Sequence, residues 1–274
     1  MSNYKLIALD MDGTLLNNEH EISQENRQTI LRAKQQGVTV VLASGRPPEG
    51  MQRHLNTLDM NTNNDYLLCY NGSLVQNIGT QEIICAFTLT GKQAKQVAFY
   101  AQKLGVFVHA FSPKRGLITP QNNPYTQIES DINGIDITRL DFSQLDDNEP
   151  IIKVMMVDDA KKLDLATERL DQGLYADFTI VRSATHFLEF IHKKANKGTG
   201  IQALTQHLHL EPQNVICMGD AENDHHMLEF AGLGVAMGNA TPATKNIADL
   251  VTVSNQENGV AKIIQDYMLA SHIN

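Results

Sequence analysis

The stretch Asp10-Met11-Asp12-Gly13-Thr14 follows directly on the apolar run Lys5-Leu6-Ile7-Ala8-Leu9, so two carboxylates stand where a buried strand runs out into a loop. Open α/β sheets bind ligands at the carboxyl ends of their parallel strands, and this junction therefore marks a crevice. The i, i+2 spacing points both acids to one side of an extended segment. Gly13 supplies a tight turn through which backbone N–H groups approach an anion. Two acids and a glycine turn suit phosphoryl chemistry. One aspartate attacks phosphorus and splits a hard step into two easier ones, while the other hands a proton to the leaving oxygen and then takes one from water. A carboxylate approaching a phosphate dianion needs a cation between them, and hard oxygen ligands favour Mg²⁺. The D-x-D-G pattern also opens calcium loops of the EF-hand type, but those follow a helix, and KLIAL reads as a strand.

Strand-like and helix-like runs alternate outward from this point. KLIAL, VTVVLAS, DYLLCYNG, NVICMGD, GVAMG and LVTV are short and rich in apolar or β-branched residues, and amphipathic stretches such as SQENRQTILRAKQQG separate several of them. That order predicts parallel βαβ units. It breaks between about Gln81 and Phe190, where IICAFTL, VFVHAF, IIKVMMVD, DFTIVRS and FLEFI are interleaved with two clear helices, GKQAKQVAFYAQKLG and AKKLDLATERLDQG. An inserted α+β domain follows, giving a division into 1–82, 83–190 and 191–274. The turn-rich DFSQLDDNEP, ending at Pro150, reads as a loop inside the insert.

Composition narrows the classes. A chain of 274 residues with 42% hydrophobic content buries a core of ordinary globular size. A formal net charge of -9 argues against a general nucleic-acid or acidic-membrane binder, which needs a basic face. Cys69, Cys85 and Cys217 are odd in number and far apart, giving neither a disulfide framework nor a metal knuckle. A reducing cytoplasm is the expected setting. The first strand starts within a few residues, so no secretory leader is expected, and no apolar run approaches the roughly 20 residues of a membrane span.

Three further junctions join the first. VTVVLAS ends at Ser44-Gly45-Arg46, whose hydroxyl and backbone N–H groups suit phosphate oxygens, although S-G-R before Pro47 also reads simply as a turn into a helix. Lys197 stands before a predicted helix, where an ammonium neutralises transferring phosphate. NVICMGDAEND runs from a strand into Gly219-Asp220, with Asn223 and Asp224 within one turn, a third acidic rim suited to Mg²⁺ and its surroundings. His225 and His226 follow, but adjacent helical histidines face different directions and make a poor metal pair.

Taken together, DMDGT, S-G-R, N-K-G and GDAEND resemble the haloacid dehalogenase superfamily of phosphatases. The insert between the second and third motifs is similar to the Cof-type branch with a C2 cap, and YNGSLV and GDAENDHHMLEFAGLGVAMGNA resemble the YidA-like sugar phosphatases. The resemblance implies an α/β, Rossmann-like parallel-sheet core with an α+β cap, Mg²⁺ dependence, and hydrolysis of small phosphorylated metabolites; a monomer or homodimer is the expected state, between which the sequence does not choose. By the same resemblance Asp10 is nucleophile and metal ligand, and Asp12 is acid/base with its backbone carbonyl on the metal. Ser44 and Lys197 hold the phosphoryl group, Asp220 completes the metal carboxylates, and Asn223 and Asp224 support. Met11, Gly45, Arg46 and Asn71 are expected to line the phosphate site. A phosphotransferase or mutase, and a phosphometabolite-binding regulator without turnover, are the alternative readings. In the insert, His109, Tyr125, His186 and Glu189 are candidate substrate contacts with structural roles more expected, and Met155 and Met156 read as strand core.

Overall fold

The computed structural model describes residues 3–269 and divides into two units, Met1–Ala86 with Asn196–Asn274, and Phe87–Ala195. The first unit is built on an eight-stranded sheet. Its order runs Leu250–Val251, Leu233–Ala236, Val215–Gly219, Leu6–Asp10, Thr39–Ala43, Tyr66–Cys69, Leu74–Asn77, Ile83–Ala86. The first six strands pair in parallel and the last two are antiparallel additions. Leu6–Asp10 is buried at every position, as expected for a strand covered on both faces. It lies between Thr39–Ala43 and Val215–Gly219, where the order of connection reverses. The carboxyl ends of these three strands therefore bound one crevice.

The covering helices form for local reasons. In Gln24–Gln35 the Ser23 side chain accepts from the Asn26 N–H at 3.1 Å, closing the first turn, while Asn26, Thr29, Ile30 and Ala33 recur on the buried face. Pro48–Thr57 starts on a proline, which loses nothing at a position whose N–H has no helical partner. On one face of the sheet Leu6, Ala8, Val41, Leu68, Val215 and Cys217 pack with Ile201 and Leu204 of the helix Lys197–His207.

The second unit has a six-stranded sheet ordered Phe178–Ala184, Phe187–His192, Lys153–Val157, Phe107–Ser112, Gly116–Thr119, Ile137–Arg139, antiparallel except for its last pair. Val154, Met156, Leu188 and Phe190 join Val97 and Ala101 of the helix Gly91–Leu104 and Leu163 and Ala166 of Ala160–Glu168 in one core. Met155 and Met156 are both fully buried.

Two differences from the sequence reading have physical causes. The joints fall at 86/87 and 195/196 because Ile83–Ala86 pairs with Leu74–Asn77 in the first sheet, and Ile191 and His192 stay paired in the sheet of the second unit. The insert also holds a third long helix, Pro124–Asn133, beyond the two expected. Its buried face is the polar set Thr126, Glu129, Ser130 and Asn133, while Ile128 and Ile132 are exposed, so apolar spacing does not mark the face that packs; Asn123, accepting from the Thr126 N–H at 2.8 Å, starts it.

The four candidate cap contacts are held within the second unit. His109 is fully buried between Thr126 Oγ1 at 3.0 Å and Met155 Sδ at 3.1 Å, and burial, then the Lys153 charge, lowers its pKa to about 3, leaving a neutral ring. Glu189 accepts from Lys153 Nζ at 3.1 Å in a buried pair. His186 Nδ1 lies 3.0 Å from the Asp158 carbonyl, and its ring centroid is 5.1 Å from that of Tyr125. No helix among the described residues is long and apolar enough to cross a membrane.

Candidate active site

The site lies within the first unit, at the carboxyl ends of the central strands. Asp10 closes its strand opposite Ala43, which puts Ser44 one residue beyond that pairing. Lys197 is the first residue of its helix and is fully buried, capped by Asn196, whose side chain accepts from the Thr199 N–H at 2.8 Å. The Lys197 ammonium donates to Asp10 Oδ1 at 2.5 Å and to Asp224 Oδ1 at 2.6 Å. Asp224 Oδ2 accepts from the backbone N–H groups of Asp220 at 2.9 Å and Ala221 at 3.1 Å. Both oxygens of Asp224 are thus engaged in holding the loop and the lysine. Asp220 Oδ1 accepts from Thr14 Oγ1 at 3.0 Å.

Asp10, Asp220 and Asp224 each offer an oxygen within 4.8 Å of the others, the donor chemistry of a hard divalent cation. Gly13 explains how the first loop comes so close: it has φ of +84°, and a Cβ there would overlap the Asp220 carboxylate. Burial, followed by the charges of Asp224 and Asp220, raises the Asp10 pKa well above 3.8 although Lys197 lowers it. Burial, then Asp224, raises Asp220. For Lys197 burial lowers the pKa, but the Asp10 and Asp224 charges outweigh it and raise the ammonium above 10.5. This crowding of acids round one lysine fits a bound cation, with Asp10 and Asp220 the carboxylates not tied up by backbone donors.

The Asp12 side chain stands outside that cluster. It is 48% exposed and bound bidentately by Arg46, Nη2 to Oδ1 at 2.6 Å and Nε to Oδ2 at 3.1 Å, with His20 Nδ1 at 3.6 Å. The i, i+2 spacing thus does not put the two carboxylates in one environment: the strand ends at Asp10, and the chain turns through Met11. Met11 is fully buried. Ser44 is buried, with its Oγ accepting from the Arg46 N–H at 3.2 Å, and Asn223 Nδ2 donates to Asn71 Oδ1 at 3.2 Å. His225 lies with Thr244 at 2.9 Å, outside the acidic cluster.

Two residues inside the quoted motifs have roles that the motif reading leaves unassigned. Thr14 fixes Asp220, and Asn239 donates to the Gly13 carbonyl at 2.8 Å while accepting from the Asn255 N–H at 3.0 Å. The signal for Asn239 is its place in GVAMGNA, just past the end of a core strand.

Strand order, capped lysine and acidic crevice define a hydrolase core that matches one family over residues 7–264, the haloacid dehalogenase-like hydrolases. The chain belongs to that family. It is 38% identical over 269 residues to YxeH of Bacillus subtilis, whose phosphatase activity is given provisionally by its name, covering 97% of this chain and 99% of that one. It is 31% identical to YcsE of Bacillus subtilis, a 5-amino-6-(5-phospho-D-ribitylamino)uracil phosphatase, covering 97% and 96%. A crystal structure of a haloacid dehalogenase-like hydrolase from Bacteroides thetaiotaomicron superposes with a TM-score of 0.86 at 35% identity, covering 96% of this chain and 99% of the other.

Proposed function

We propose that this hydrolase is a Mg²⁺-dependent phosphatase of sugar phosphates or similar polyol phosphates, working through an aspartyl phosphate on Asp10. The observation that carries the reading is the buried Lys197 bridging Asp10 and Asp224 beside Asp220. Such a constellation offers a nucleophile, a fixed positive charge for phosphate oxygens and a place for a cation. The activity named for YcsE, on a ribityl phosphate, supports the polyol class. The free Cys69, Cys85 and Cys217 are compatible with a reducing cytoplasm.

Asp10 and Asp220 would hold the metal together with the Asp12 carbonyl. Bound there, Mg²⁺ would neutralise charge between the attacking carboxylate and the phosphate. Asp10 forms a bond to phosphorus as the alkoxide departs, and Lys197 and Ser44 hold the equatorial oxygens. Asp12 gives the alkoxide its proton and later takes one from the water that attacks the aspartyl phosphate. Its pair with Arg46 has to open first. Phosphate is itself a bidentate partner for a guanidinium, so the substrate competes for Arg46 and frees Asp12.

Release of inorganic phosphate from a panel of hexose, pentose and polyol phosphates is the direct test, with product analysis for transfer to a second hydroxyl. Activity is expected with MgCl₂ and not with EDTA, and Asp220→Ala should raise the Mg²⁺ concentration needed more than it raises KM. Full turnover in chelator would sink the metal assignment. Asp12→Ala should slow an alkyl phosphate about 10²- to 10⁴-fold, and p-nitrophenyl phosphate less in the first step, because nitrophenolate leaves without a proton. Equal losses on both would remove Asp12 from the acid role.

A further inference from the structure

Three consecutive residues, Tyr70, Asn71 and Gly72, have φ of 51°, 55° and 93°. Glycine enters this region freely and asparagine tolerates it, but a bulky tyrosine avoids it. The turn is therefore held by its contacts and not by local preference. Those contacts reach the loops that carry the chemistry. The Tyr70 N–H donates to the Arg46 carbonyl at 3.1 Å and the Asn71 N–H to the Ser44 carbonyl at 2.9 Å, so the turn grips the Ser44-Gly45-Arg46 segment at both ends. The Asn71 amide lies over Gly45, where a Cβ would come within 3.0 Å of Nδ2, and its Oδ1 accepts from Asn223 at 3.2 Å. Gly72 runs against the start of the lysine helix: a Cβ there would overlap the Asn196 carbonyl oxygen and approach the Lys197 nitrogen to 3.0 Å.

We propose that Asn71 is a positioning residue which, through Asn223 and the Ser44 turn, sets the separation of the groups that hold the phosphoryl moiety; the proposal rests on the phosphatase reading above. Its backbone braces Ser44 and its amide braces Asn223, while Gly72 keeps the same turn in register with Lys197. Strained left-handed residues persist where the surrounding structure over-determines them, and at a reaction site the effect is preorganisation. A misplacement of about 1 Å costs about 10²-fold in rate, so the loss of a brace should be visible without loss of the fold.

Two substitutions separate the backbone from the amide. Asn71→Gly keeps the freedom for positive φ and removes the amide, whereas Asn71→Ala removes both. With p-nitrophenyl phosphate and MgCl₂, kcat should fall about tenfold in Asn71→Gly and about 10²-fold in Asn71→Ala, with KM changed less than about threefold. Because Asn71 acts through Asn223, the Asn71→Gly, Asn223→Ala double variant should match Asn223→Ala alone within about twofold. Losses that multiply in the double variant, or wild-type kcat in Asn71→Ala, would overturn the proposal. A crystal structure of Asn71→Gly decides the matter independently of turnover. The Asn223 side chain should be displaced while the Ser44 carbonyl, still accepting from the N–H of residue 71, keeps its place; if the Asn223 side chain does not move, the Asn71 amide positions nothing. A wild-type protein that releases no phosphate from any ester would instead remove the phosphatase reading, and the crystallographic comparison would still stand.

Discussion

Asp10→Asn is expected to lower kcat for phosphate release by more than about 10²-fold, roughly 3 kcal/mol or more of barrier, with the fold unchanged. The amide is a poor nucleophile and a weaker metal ligand, yet it has the shape to keep an oxygen on Lys197. The same variant should be no less heat-stable than wild type when both are freed of metal. Asp10 is buried against Asp220 and Asp224, and burial followed by those charges raises its pKa in the folded state above 3.8. For an acid raised on folding, the stability present below the unfolded pKa is lost as pH rises through the folded value. Metal-free wild type should therefore lose stability from about pH 4 upward relative to Asp10→Asn, so the gap in Tm widens in EDTA between pH 4 and pH 8. Retention of more than about one per cent of kcat, less than about 3 kcal/mol of barrier, would remove Asp10 as nucleophile. A Tm gap that narrows over that range would remove the account of the acidic cluster.

The strand-to-loop junctions are legible in the sequence because each apolar run ends on a polar or charged residue, and parallel strands bring those ends to one edge. Asp10 and Lys197 are 187 positions apart and bonded, which is readable only once the strands are taken as neighbours in one sheet. Side-chain direction is a different matter. Whether Asp12 turns to the acidic cluster or to Arg46 depends on how the chain leaves the strand, and neither periodicity nor spacing encodes it. The strand Leu74–Asn77 is hidden although Asn71-Gly72 signals a turn before it, because its four residues, LVQN, are half polar and form no apolar run. The helix Pro124–Asn133 escapes notice because its buried face is polar. Asp224 is readable as a supporting acid from its motif, but its grip on Lys197 depends on the folded loop.

Lys197→Met is expected to be the single change in the site that costs most stability, with a loss of activity beside it. The ammonium is fully buried and contacts two carboxylates at 2.5 and 2.6 Å, with Asp220 in the same cluster. Methionine fills similar volume without charge and leaves buried acids uncompensated, a loss that typically costs about 3–5 kcal/mol. Removing a fixed donor to the transferring phosphate should also lower kcat by about 10²- to 10³-fold. The sign of the pH dependence follows from the raised Lys197 pKa. A base raised on folding contributes stability that is complete below its unfolded value near 10.5 and lost only as pH rises through the folded value. At pH 8 the whole contribution is present and its removal is fully felt. At pH 5 part of the loss is relieved, because Asp10 and Asp220, already raised, take up protons in place of the missing cation. Urea unfolding in EDTA should therefore show a larger deficit for Lys197→Met at pH 8 than at pH 5. Lys197→Arg keeps the charge but spreads it over a planar fork that matches neither contact, so it should recover part of the stability and little of the turnover. A Lys197→Met protein within about 1 kcal/mol of wild type at pH 8 would mean that the lysine is not what holds the acids together.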